Sequence, residues 1–135
     1  MKTFATLAVV FFVGLLAAAG AGAAPNTATT TLSDTTPSTG TTLDVTFTVY
    51  GTAPVVPYEY ALENTCRTPG AKGGGYTIGQ TDPIVSWTDQ GPNGEPRTTM
   101  PVYLQSVPAG STCRVSLVKN NTVVKGSTMA YSVGN

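Results

Sequence analysis

The sequence predicts an antiparallel β-sandwich, and three observations lead there. Leu43, Val45, Phe47 and Val49 alternate with Asp44, Thr46, Thr48 and Tyr50, the two-residue period of a strand with one buried and one wet face. Similar short runs recur about seven times, separated by Gly, Pro, Asn and Asp at the roughly 8–12-residue spacing of sandwich folds. Beyond the first two dozen residues there is no 3.6-residue apolar pattern. A single strand cannot stand alone, so its apolar row requires a second sheet to cover it. A small closed barrel is the alternative architecture.

Taken in order, the chain opens with a basic Lys2, an apolar run from Phe4 to Ala19 and the small residues Gly20-Ala21-Gly22-Ala23-Ala24. That order describes a secretory signal peptide cut after Ala23, because the apolar run is short for a membrane span of about 20 residues. Residues 1–23 are therefore read as the leader and residues 24–135 as one β domain. Residues 29–32 are expected as a first edge strand, and the Thr-Pro-Ser-Thr-Gly at 36–40 as the turn into the central strand. Residues 56–64 are expected as the next strand, with Tyr58, Tyr60 and Leu62 on one face. Cys66 continues that parity, so its sulfur is expected to point inward.

Residues 67–82 are expected as the least structured part: five of the sixteen are Gly, and such backbone is costly to order. Residues 84–88, with Trp87, read as a short strand, and Asn93-Gly94 as a type I′ corner. Residues 98–107 alternate again. Pro101 has no N–H and places this strand at an edge or a bulge. Residues 111–118 turn Cys113, Val115 and Leu117 inward. A hairpin at Lys119-Asn120-Asn121 leads into a closing strand over 122–133.

Residues 36–50 and 108–119 resemble the early and late strands of immunoglobulin-like and fibronectin-like domains. The rest of the chain shares their strand rhythm. The resemblance implies an immunoglobulin-like sandwich of about seven strands. The chain departs from an antibody-type domain in that its first Cys follows the second predicted strand and Trp87 comes well after it.

Composition excludes several functions. Lys and Arg number 7 and Asp and Glu 7, with no His, so there is no basic field for nucleic acid or an anionic membrane and no imidazole for a Ser-His-Asp or Cys-His nucleophile. The two cysteines of an exported chain are expected to form one disulfide, Cys66–Cys113. Two cysteines without histidine do not make a metal site. The segment Asp89-x-Gly91-x-Asn93-Gly94-Glu95 begins like a calcium loop, but Met100 stands where the bidentate carboxylate belongs. Glu59 and Glu63, four residues apart on one strand, would lie about 13 Å apart, too far for a glycosidase pair.

The expected function is thus a secreted, non-catalytic binding or interaction module without a cofactor, acting as a monomer on a cell-wall polysaccharide or a host protein. Recognition is expected through the loops at 67–82 and 89–97, with Lys72, Tyr76, Trp87 and Arg97 as the contact residues, since loops on a rigid scaffold carry binding. A structural wall protein and a small carboxylate-dependent hydrolase are the alternatives. Asn120-Asn121-Thr122 is an N-glycosylation sequon, which makes Asn120 the expected sugar acceptor.

Overall fold

The computed structural model describes residues 24–70 and 78–135. Among these, the chain forms β1 (Thr27–Leu32), β2 (Thr42–Tyr50), β3 (Tyr60–Arg67), β4 (Ile78–Pro83), β5 (Asp89–Gln90), β6 (Pro96–Tyr103), β7 (Thr112–Lys119), β8 (Thr122–Val123) and β9 (Met129–Ser132). All the pairings between these strands are antiparallel. A four-stranded sheet runs β1-β2-β6-β5, and a five-stranded sheet runs β4-β3-β7, with β8 and β9 both paired to the far side of β7. The two sheets do not close into a barrel, so the sandwich is the architecture.

The β2 alternation does what its period dictates. Leu43, Val45, Phe47 and Val49 are buried against Tyr60, Leu62 and Cys66 of β3, Cys113, Val115 and Leu117 of β7, and Val102 of β6. Cys66 and Cys113 are bonded and sit directly opposite each other in the β3–β7 ladder, Cα to Cα 4.0 Å. The disulfide therefore ties neighbours in one sheet rather than bridging the two sheets.

Four local expectations need correction. Pro57 fixes its own backbone and has no N–H to donate, so residues 57–59 make a 3-10 turn, with the Glu59 N–H donating to the Val56 carbonyl at 3.1 Å. The strand begins only at Tyr60, and Tyr58 does not share its face: it is 80% exposed. Residues 84–88 are not a strand, because they carry the chain from β4 in one sheet to β5 in the other. The strand lies before them, in the tail of the Gly-rich stretch. The third correction concerns Asn93-Gly94, which is not a type I′ corner. Pro92 and Asn93 occupy the centre of a turn closed by the Gly94 N–H on the Gly91 carbonyl at 3.0 Å, and Gly94 takes the positive φ of 83°, a type I turn followed by a left-handed residue. The type I′ conformation is at Asn120 and Asn121 instead, with φ of 48° and 66°. Finally, the closing strand is broken into β8 and β9, because residues 125–127 swing across to β1. The Ala28 N–H donates to the Lys125 carbonyl at 3.0 Å, and the Thr30 hydroxyl donates to the Ser127 carbonyl.

That crossing seals one flank of the sandwich. Gln80 of β4 seals the other. Its amide donates to the Pro101 carbonyl at 3.0 Å and its oxygen accepts the Tyr103 N–H at 2.9 Å, on the edge of β6 that β5 leaves open. Pro101 lies on that edge, as its missing N–H requires.

Strand direction sorts the loops between two ends. Tyr50, Tyr60, Pro96 and Lys119 mark one end, joined by the loops at 51–59, 91–95 and 120–121 and by the start of β1. Leu32, Arg67, Tyr103 and Thr112 mark the opposite end. No helix among the described residues is long and apolar enough to cross a membrane.

Candidate functional site

Of the four residues expected to make contacts, Trp87 and Arg97 fall within the described residues. Lys72 and Tyr76 lie outside the described residues. The strand ends on either side of them, Arg67 and Ile78, belong to the Thr112 end, whereas the 91–95 loop next to Arg97 is at the Tyr50 end. The described strand ends Arg67 and Ile78 thus lie at the opposite end from the 91–95 loop. Trp87 is half-buried and packs on the core, its ring edge-on to Tyr60 with centroids 5.5 Å apart and planes at 73°. Its Nε1 and the Tyr60 hydroxyl are buried without a hydrogen-bond partner among the described residues. Arg97 is held by Asp89, with its Nε and Nη2 at 3.0 and 2.7 Å from one carboxylate oxygen. Thr88 and Thr98, the neighbours of Trp87 and Arg97, join hydroxyls at 3.2 Å, so these two do share one flank.

The Tyr50 end carries a different constellation. Tyr58 projects from the 3-10 turn, and the turn is fastened at its base: the Asn120 N–H donates to the Glu59 carbonyl at 3.0 Å. Beside Tyr58 lies a concavity of about 270 Å³, lined by Glu59 and Glu63, by Thr81 of β4 and by Asn120 and Asn121 of the β7–β8 hairpin. Asn120 and Asn121 are exposed. Lys119 reaches back over the Tyr60 ring, its Nζ 5.6 Å from the centroid and 3.8 Å from the Glu59 carboxylate. A large exposed ring on an anchored turn loses little freedom when it binds, and the surrounding carboxylates and amides offer acceptors and donors at fixed positions.

Two carboxyl groups of the β5–β6 hairpin titrate below their usual values. Asp89 is lowered from its usual 3.8, first by the Gln90 N–H at 2.8 Å and then by Arg97. Glu95 is lowered from 4.5, first by its own backbone N–H and then by that of Asn93. Both shifts favour the ionised form, the direction opposite to that of a general acid. No group of three metal-binding side chains occurs among the described residues.

Sequence reasoning did not single out Tyr58, Lys119 or Asn121, which gather at the Tyr50 end. The available signal was Pro57: a proline ahead of Tyr58 breaks the assumed strand parity and turns the ring outward. Compared with protein-family models, with curated proteins and with solved structures, the chain matches none.

Proposed function

We propose that the chain is a secreted, non-catalytic glycan-binding module of immunoglobulin-like topology. The observation that supports this reading most is Tyr58, 80% exposed on an anchored turn at the rim of a polar concavity. The apolar face of a sugar ring stacks on such a ring, and Glu59, Glu63 and Asn121, which line the concavity, offer partners to its hydroxyl groups. The ligand is a neutral wall polysaccharide rather than an anionic one, because two carboxylates line the site. The strand order β1-β2-β6-β5 against β3-β7 follows the A-B-E-D and C-F arrangement of immunoglobulin-like sheets, with the disulfide moved from the B–F to the C–F position. The disulfide fits an oxidising, extracellular setting.

Retention on insoluble neutral polysaccharides, compared for the parent protein and Tyr58→Ala, tests this. Loss of retention with an unchanged melting temperature is the expected result. Equal retention of both proteins would remove the reading.

A further inference from the structure

A second concavity, of about 330 Å³, opens at the same end on the other side of Tyr60, near the lower limit of small-molecule sites. Its walls are apolar: Pro25, Ala53, Val123 and Val124. Lys119 and Lys125 also line it. The walls are fixed rather than loose. The Asn26 side chain grips Ala53 from both sides, its amide donating to the Ala53 carbonyl at 2.9 Å and its oxygen accepting the Ala53 N–H at 3.1 Å. Val124 donates its N–H to the Leu117 carbonyl at 2.9 Å, and the Lys125 carbonyl accepts from Ala28 at 3.0 Å. A Cβ at Gly51 would collide with the Asn26 side chain, so glycine there, at φ 129°, is what lets the grip form.

The charges around this hollow do not cancel. Lys119 faces Glu59 at 3.8 Å and lies over the Tyr60 ring. Lys125 is exposed and has no carboxylate within ion-pair distance among the described residues. An apolar hollow with a surplus ammonium group suits a ligand with an apolar body and one negative charge. Burial of the body supplies affinity, and the lysines orient the charged end.

We infer that this hollow is a binding site for a small organic acid, an apolar body carrying a single carboxylate, separate from the Tyr58 concavity. Tyr60 borders both concavities, but the inference does not depend on the glycan reading, because it rests on Lys125 and the apolar walls and takes a ligand of opposite character.

Backbone amide NMR shifts of the protein titrated with 3-phenylpropionate test it, with 3-phenylpropan-1-ol and inorganic phosphate as comparison probes. The acid is expected to move the amides of Ala53, Val124 and Lys125 in a saturable way. The alcohol and phosphate are each expected to bind about tenfold more weakly, since one lacks the charge and the other the apolar body. Lys125→Glu, at an exposed position, is expected to keep the parent spectrum elsewhere and weaken the acid by roughly tenfold or more. Shifts centred away from these residues, an alcohol that binds as tightly as the acid, or an unaltered affinity in Lys125→Glu would each overturn it.

Discussion

Three polar side chains stand where a strand would otherwise be needed. Gln80 pairs with the carbonyl of Pro101 and the N–H of Tyr103. Asn26 does the same to Ala53. The Ser127 hydroxyl accepts the Leu117 N–H and donates to the Leu117 carbonyl, both at 3.1 Å. Each pairs with a backbone donor and a backbone acceptor, Ser127 sharing the Leu117 carbonyl with the Val124 N–H, and leaving such a group buried and unpaired is expensive. Gln80→Ala is expected to lower the free energy of unfolding by about 1–3 kcal/mol, read from the urea midpoint. None of these roles was legible beforehand, because a glutamine in a Gly-rich stretch gives no hint of which edge it will reach. Tyr131 makes a pH argument at the same scale. Its hydroxyl donates to Asn64 Oδ1 at 2.6 Å, and burial pushes the phenol up to about 12 from 10.0. The native state therefore holds this proton more tightly than the unfolded chain. The resulting stability is complete below pH 10 and drains away as pH rises toward 12. Urea midpoints of the parent and Tyr131→Phe, measured across that range, are expected to converge as the phenol ionises.

Among the elements, the strands with strong apolar alternation were readable and the weakly patterned ones were not. The β2 alternation, and Cys113, Val115 and Leu117 in β7, gave their faces correctly because burial obeys the two-residue period. Ile78-Gly79-Gln80-Thr81-Asp82-Pro83 has no such period, and β4 is held at the sheet edge by backbone pairing with β3. The turn chemistry was legible in kind and misplaced in detail. Pro92 selects a type I turn where Asn93-Gly94 alone suggests I′, and the I′ geometry falls on Asn120-Asn121, which tolerate left-handed backbone. At φ 66°, Asn121→Gly should be neutral or slightly stabilising, while Asn121→Val is expected to lose about 1–2 kcal/mol, again by urea denaturation. The disulfide spans a sequence separation of 47. Its removal in a Cys66→Ala/Cys113→Ala double variant is expected to cost about 4 kcal/mol, a large share of the roughly 5–15 kcal/mol typical of a domain, and to lower the urea midpoint accordingly.

On the scale of the whole molecule, side-chain and backbone hydrogen bonds close the sandwich at both flanks, and the proposed recognition lies at one end. Fold class and disulfide were open to inference because alternation and cysteine count are local signals. The candidate site was not, because it arises where the 51–59 turn, β4 and the β7–β8 hairpin meet, and no segment shows that meeting alone. The Tyr58 ring contributes nothing to the core, so an Ala there should move stability by no more than about 0.5 kcal/mol. The most direct measurement is calorimetric titration of a soluble oligosaccharide from a neutral wall polysaccharide into the parent protein and Tyr58→Ala at matched stability. The account predicts saturable binding by the parent and affinity about tenfold weaker or worse in the variant, the loss expected from truncating an aromatic anchor. Binding that is unchanged in Tyr58→Ala, or a parent protein that binds no neutral glycan, would contradict it.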